Sequence, residues 1–232
     1  MNTQEPLKQS LVTDGSLLVH SIFKTIQGEG PFVGQPCVFV RLAGCNLQCP
    51  LCDTEYTVGT GRMTTLSIVT AIFNIFPETR LVVITGGEPF RQEISPLVKA
   101  LVSSGHVQVQ IETNGTLYTH GFDYIGLSNL VTVVCSPKTG RVNKLLLHYI
   151  KAWKYVATAD SLSPVDGLPV HALEHPASPQ LARPPEGALV YLQPVDEGDP
   201  ELNKKNLDSV IASCYKFGYR LGLQIHKLIG EP

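Results

Sequence analysis

The chain has 232 residues, 43% of them hydrophobic and 16% charged, which excludes a disordered polar chain and is enough for one substantial core. Its formal net charge is -2, and its 18 Lys and Arg residues form no dense run, so nothing in the charge points to a nucleic-acid partner. The start, MNTQEPLKQSLVTDG, has no apolar core of signal-peptide length, and no apolar run is long enough to span a bilayer, so a cytoplasmic location off the membrane is expected.

A polar arm over residues 1–17 is expected to precede a single domain over 18–232. LLVHSIFKTI (17–26) and VFVRL (38–42) read as strands separated by the glycine-rich QGEGPFVGQP. A long loop through three cysteines follows. Thr65 is placed as the cap of a helix with Leu66, Val69, Ile72, Phe73 and Phe76 at helical spacing, ended by Pro77. LVVIT (81–85) is a continuous apolar run, as in a buried parallel strand. Ser95 and Pro96 suit the cap and first position of a second helix that Gly105 closes. VQVQIE (107–112), VTVVCS (131–136) and AWKYVA (152–157) read as strands, with a weak helix over RVNKLLLHYI between the last two. Residues 159–187 hold six prolines and no periodicity, and are read as a surface insertion. ALVYLQ (188–193) is a strand; Leu207, Val210, Ile211 and Cys214 mark a helix ended by Gly218; RLGLQIH (220–226) is read as the last strand.

Strands alternating with helical patterns imply parallel β/α units, an α/β barrel or partial barrel. Chemistry in such folds sits at the carboxyl ends of the strands. Here GCNLQC, GGEP, TNG, PK and QPVDE each follow a strand, so one rim would carry them all. Cys45, Cys49 and Cys52 lie within eight residues of a chain with six cysteines. As thiolates they suit a zinc ion with one open position, or an iron–sulfur cluster with one iron left for a ligand that is not protein. Cys37, Cys135 and Cys214 fall in apolar patterns and read as core.

The C-x3-C-x2-C loop after the first barrel strand, followed by GGEP at Gly86 to Pro89, closely resembles the radical S-adenosylmethionine (SAM) superfamily. More narrowly, FKTIQGEGPFVGQPCVFVRLAGCNLQCPLCDT, TGGEP, ETNGT, SPK, WKYV, LQPVDE and QIHKLIGEP resemble the 7-carboxy-7-deazaguanine synthase family, with only the arm and the insertion outside the likeness. The resemblance implies a partial (β/α)6 barrel with reduced helical content. It also implies a lyase reaction that contracts 6-carboxy-5,6,7,8-tetrahydropterin to 7-carboxy-7-deazaguanine and ammonia, on the route to 7-deazapurines such as queuosine. The cofactors implied are one [4Fe–4S] cluster per chain on Cys45, Cys49 and Cys52, SAM, and Mg2+ on Thr54. Carried over by position, SAM would meet Gly87, Ser136, Pro137, Lys138, Gln193, Pro194, Val195 and Asp196. The pterin would meet Ile26, Gln27, Gly28, Arg41, Thr85 and the terminal carboxylate of Pro232. A homodimer and an electron-donating reductase such as flavodoxin belong to the same implication.

From the residues alone, Arg41 on an apolar strand is either a buried ion-pair partner or a ligand clamp. Glu29 and Glu88 read as turn or cap carboxylates, and Glu112 as a strand-end acceptor for backbone N–H groups. His226 and Lys227 read as pocket residues or as a solvated face. Two positions depart from the pattern: Leu51 stands where many superfamily members have an aromatic, and Ile225 where a threonine is expected. The rival readings are another radical SAM enzyme, such as a glycyl-radical activase, and a zinc-binding interaction module.

Overall fold

The computed structural model describes residues 3–50, 52, 54–171 and 180–232. Leu51 and the middle of the proline-rich segment, residues 172–179, lie outside them. The strands are β1 (Ser16–Ile26), β2 (Pro36–Leu42), β3 (Gly61–Thr64), β4 (Leu81–Gly86), β5 (Gln108–Thr113), β6 (Val131–Cys135), β7 (Ile150–Ala157), β8 (Val190–Pro194) and β9 (Arg220–Leu221). They form one sheet of nine strands in the order β3-β1-β2-β4-β5-β6-β7-β8-β9. Pairing from β2 through β9 is parallel, while β1 lies antiparallel to both β2 and β3.

The sheet is open, since β3 and β9 are not paired to each other, but it is curled. Glu29, in the loop after β1, forms an ion pair with Lys154 of β7 and accepts a hydrogen bond from Gln193 of β8 at 3.1 Å. In a flat sheet β1 and β7 would stand five steps apart, roughly 24 Å at about 4.8 Å per step, beyond the reach of these side chains. The α/β partial barrel expected from the sequence is therefore present.

Leu81 to Ile84 of β4 are all fully buried, because one face packs on helices and the other faces the barrel interior. Burial of each such side chain is worth about 1.5–3 kcal/mol. The helices are α1 (Thr65–Ile75), α2 (Ser95–Val102), α3 (Pro200–Phe217) and the short α4 (Ile225–Ile229). Ile68 and Ile72 of α1, with Leu97 and Leu101 of α2, cover Val82 and Ile84. Val210 of α3 covers Trp153, Tyr155 and Leu192.

Helices are scarce over β5 and β6, where 3-10 turns at His120–Phe122, Ile125–Leu127 and Leu147–Tyr149 take their place. Aromatic packing closes the face there: Phe122 meets Phe90 edge-on at 5.1 Å between ring centroids, and Tyr149 at 5.4 Å.

Several local expectations are corrected. RVNKLLLHYI forms no α-helix, only the 3-10 turn at Leu147–Tyr149: only Leu146 is buried, and Asn143 accepts from the Leu145 N–H with its own side chain, which favours a turn. The Thr65 cap moves back by one, since Thr64 Oγ1 accepts from the Ser67 N–H while Thr65 Oγ1 donates to Gly15. Likewise Ile94 occupies the cap position of α2 and Ser95 is its first residue. RLGLQIH pairs only at Arg220–Leu221; beyond Gly222 the chain turns inward and forms α4, with Ile225 N–H donating to Gly28. β3 was not foreseen, being too short and polar to show alternation. The proline-rich segment is more than a surface addition, because Leu168 and Leu181 are buried in the core under α3.

Candidate active site

The carboxyl ends of the parallel strands open onto a cavity of about 770 Å³. On its wall are Cys45, Cys49 and Cys52, with Cys45 buried and the other two half-buried. Burial pushes the Cys45 thiol up to about 12, and it also raises Cys49, which Lys138 partly offsets. Such thiols ionise when a metal takes the proton's place. Two donors already face the Cys45 sulfur: the Leu47 N–H at 3.4 Å and Asn114 Nδ2 at 3.9 Å. Among the described residues no group of three His, Cys, Asp or Glu side chains converges on a single metal ion. A cubane cluster does not need that convergence, because it ligates each thiolate through a different iron.

The cysteine loop is held against β4 by close backbone contact. Gly87 N–H donates to Leu42 O at 3.1 Å and Glu88 N–H to Gly44 O at 3.0 Å. A Cβ on Gly87 would stand 2.1 Å from Gly44 O, and one on Gly86, whose φ is +131°, 2.1 Å from Leu42 O. These glycines thus admit the cysteine loop itself, and Gly87 lines the cavity as well. Glu88 is fully buried and accepts from Phe90 N–H, Thr113 Oγ1 and Asn114 N–H; burial pushes it up to about 7 against those three donors.

A row of side chains crosses the interior face of the sheet. Register places Arg41 beside Thr85, and Glu112 one strand further beside Val134, all on one face. Glu112 accepts from Thr85 Oγ1, Gln27 Nε2 and Gln110 Nε2, so it serves side chains and not backbone N–H groups. Arg41 forms no ion pair among the described residues; its guanidinium stacks 5.3 Å from the Phe23 ring, and its buried Nε has no partner. That orphaned donor fits an anionic ligand.

Thr54, Thr85, Ser136, Lys138, Gln193, Pro194, Val195 and Asp196 line the same cavity. Ile26, Gln27, Gly28, Arg41, Pro137 and Pro232 do not line it directly. Gln27 and Arg41 border it through Glu112 and the shared sheet face. Gly28 is pressed against His226, whose Nδ1 would lie 1.9 Å from any Cβ there, and Pro232 O accepts from Thr25 Oγ1 at 2.9 Å.

Three features were not read from the sequence. Lys154 and Gln224 join Glu29 and Gln193 in a network at the cavity wall. Burial opposes ionisation of Glu29, but the Lys154 ammonium and the two amides outweigh it and hold the carboxyl at about 2. A lysine between Trp153 and Tyr155 on a buried strand was a signal for an inward-facing charge. The arm supplies the other two features: Thr3 and Gln4 line the cavity, and Leu7 N–H donates to Cys45 O at 2.7 Å.

No protein-family model matches the chain. Named relatives do: the 7-carboxy-7-deazaguanine synthase of Rhodospirillum rubrum is 45% identical over 221 residues, 92% of each chain. That of Rickettsia prowazekii is 38% identical over 237 residues, 97% of this chain and 93% of the relative. Among solved structures, QueE from Escherichia coli superposes with a TM-score of 0.64, at 24% identity over 90% of this chain and 94% of that one, which supports the fold. With full-length likeness at this identity, and with the cysteine loop, the GGEP turn and the polar row on one rim, the chain belongs to the 7-carboxy-7-deazaguanine synthase family.

Proposed function

We propose that this protein converts 6-carboxy-5,6,7,8-tetrahydropterin into 7-carboxy-7-deazaguanine and ammonia, as a radical SAM lyase of 7-deazapurine biosynthesis. The observation that carries the reading is the placement of Cys45, Cys49 and Cys52 on the wall of one cavity at the strand ends of a partial barrel, with Arg41 on the sheet face that Thr85 and Glu112 extend to that cavity. When bound, a [4Fe–4S] cluster and SAM supply a carbon-centred radical able to take hydrogen from the substrate.

The chain's own residues perform the rest. Cys45, Cys49 and Cys52 would hold three irons, and Gly87, Ser136, Pro137, Lys138 and Gln193 to Asp196 would cradle SAM. Arg41, a planar fork with a free donor, would take the pterin carboxylate. Gln27, Thr85 and Glu112 form a connected donor–acceptor set suited to the edge of a pterin ring. Ile26, Gly28 and the Pro232 terminus would close the far side. Thr54 offers Mg2+ one oxygen ligand, so the ion would take most of its shell from water and substrate. Glu29, Lys154 and Gln224, joined in one network on the cavity wall, would help keep water from the reacting carbon. A homodimer, a flavodoxin-like reductase and a cytoplasmic location are part of this reading; among the described residues no helix is long and apolar enough to cross a membrane.

The test is anaerobic: protein reconstituted with iron and sulfide, given SAM, Mg2+, dithionite and the tetrahydropterin, with product followed by mass spectrometry. Formation of 7-carboxy-7-deazaguanine that disappears in Cys49→Ala is the expected result. SAM cleavage without that product would discard the substrate, and a colourless zinc protein without cleavage would discard the cluster.

A further inference from the structure

Arg91 follows GGEPF, does not line the cavity, and is buried, with 6% of its surface exposed. Among the described residues no carboxylate lies within ion-pair distance of it. Its guanidinium donates to Ala43 O at 3.1 Å and to Lys8 O at 3.3 Å, and its buried Nε has no partner among the described residues. The same Nε would stand 2.8 Å from a Cβ on Gly44, the residue next to Cys45. Burial lowers the basicity of Arg91, and attraction to an ionised Cys45 offsets this only in part.

A buried guanidinium with only carbonyl acceptors is costly unless an anion lies nearby. A four-iron cluster on three thiolates is such an anion, and its negative charge grows by one unit on reduction. A fixed cation beside the loop therefore favours the reduced form over the oxidised one, the more so because the surroundings are dry.

We propose that Arg91 is a positioning residue of the cluster site: its guanidinium braces the Ala43–Cys45 backbone and acts as the built-in counter-charge that raises the cluster's reduction potential. The inference rests on the cluster reading above and adds to it a residue outside the C-x3-C-x2-C and GGE motifs.

The experiment is a redox titration of the reconstituted holoprotein, followed by electron paramagnetic resonance, with iron per chain and thermal unfolding measured alongside. Arg91→Gln and Arg91→Met should keep the iron but titrate at a more negative potential. The reduced-to-oxidised ratio at fixed potential should fall about tenfold, a shift of about 59 mV for one electron. Arg91→Lys, which keeps the charge, should stay near the native potential. If the neutral variants load fully and titrate like the native protein, Arg91 is a brace only and the proposal falls. If they fail to load while Arg91→Lys loads, the charge requirement stands at the assembly step. Failure of all three would overturn the proposal in favour of the lost hydrogen bonds. Absence of a cluster in the native protein would overturn the cluster reading first, before any variant is made.

Discussion

Arg41 can sit on an apolar strand because the ring of Phe23 covers one face of its guanidinium. Its Nε has no partner among the described residues, so removing the group should cost little stability and should cost binding instead. Arg41→Met is expected to raise KM for the tetrahydropterin roughly 10- to 100-fold, matching about 1.5–3 kcal/mol for a charge-assisted hydrogen bond. Steady-state kinetics beside a melting curve checks this; an unchanged KM with a large loss of melting temperature would make Arg41 structural. Its position on a strand was legible in the sequence, and the choice between ion pair and clamp was not. That choice depends on which neighbours the curled sheet brings up, and among the described residues no carboxylate reaches it.

The arm shows how an element can be unreadable yet placed. It has no periodicity, so its sequence predicts only a polar extension, but its polar groups are spent on the cysteine loop and on the turns that follow β4 and β5. Gln4 donates to Thr54 O and accepts from Tyr56 N–H, Gln9 donates to Phe90 O and Tyr118 O, and Ser10 N–H donates to Arg91 O. Deleting residues 1–12 should lower the unfolding free energy on the order of 2 kcal/mol, the net of several hydrogen bonds against the freedom regained. It should also speed iron loss to a chelator from the reconstituted protein. Iron loss at the native rate would show that the arm does not hold the loop. The RLGLQIH stretch failed for a related reason: apolar alternation predicts a strand, but the edge of the sheet ends at Leu221 and Gln224 is drawn to Glu29.

Across the molecule, curling of the sheet joins its first and later strands through the Glu29–Lys154 pair, backed by Gln193 and Gln224. The Glu29 carboxyl is held at about 2, below its ordinary 4.5, so the folded chain binds a proton there less readily than the unfolded chain. The stability it contributes is therefore full above the unfolded value and is lost as pH falls through the folded one. The melting-temperature gap between the native protein and Glu29→Gln should be widest near neutrality and should narrow from about pH 5 towards about pH 2. A gap independent of pH would mean that the pair does not couple the two sides of the barrel.

Motif chemistry was legible because it depends on short chain separations: thiols four and three positions apart, and glycines at the end of an apolar run, keep their meaning in any α/β frame. The parallel strands were legible because burial on both faces leaves continuous runs such as LVVIT. What required folding was convergence. Lys154 is 125 residues from Glu29, Gln224 is 195 away, and Arg91 meets the cysteine loop from another strand's end. No local pattern encodes such pairs, because the curl that joins them is a sum of small twists over many strands.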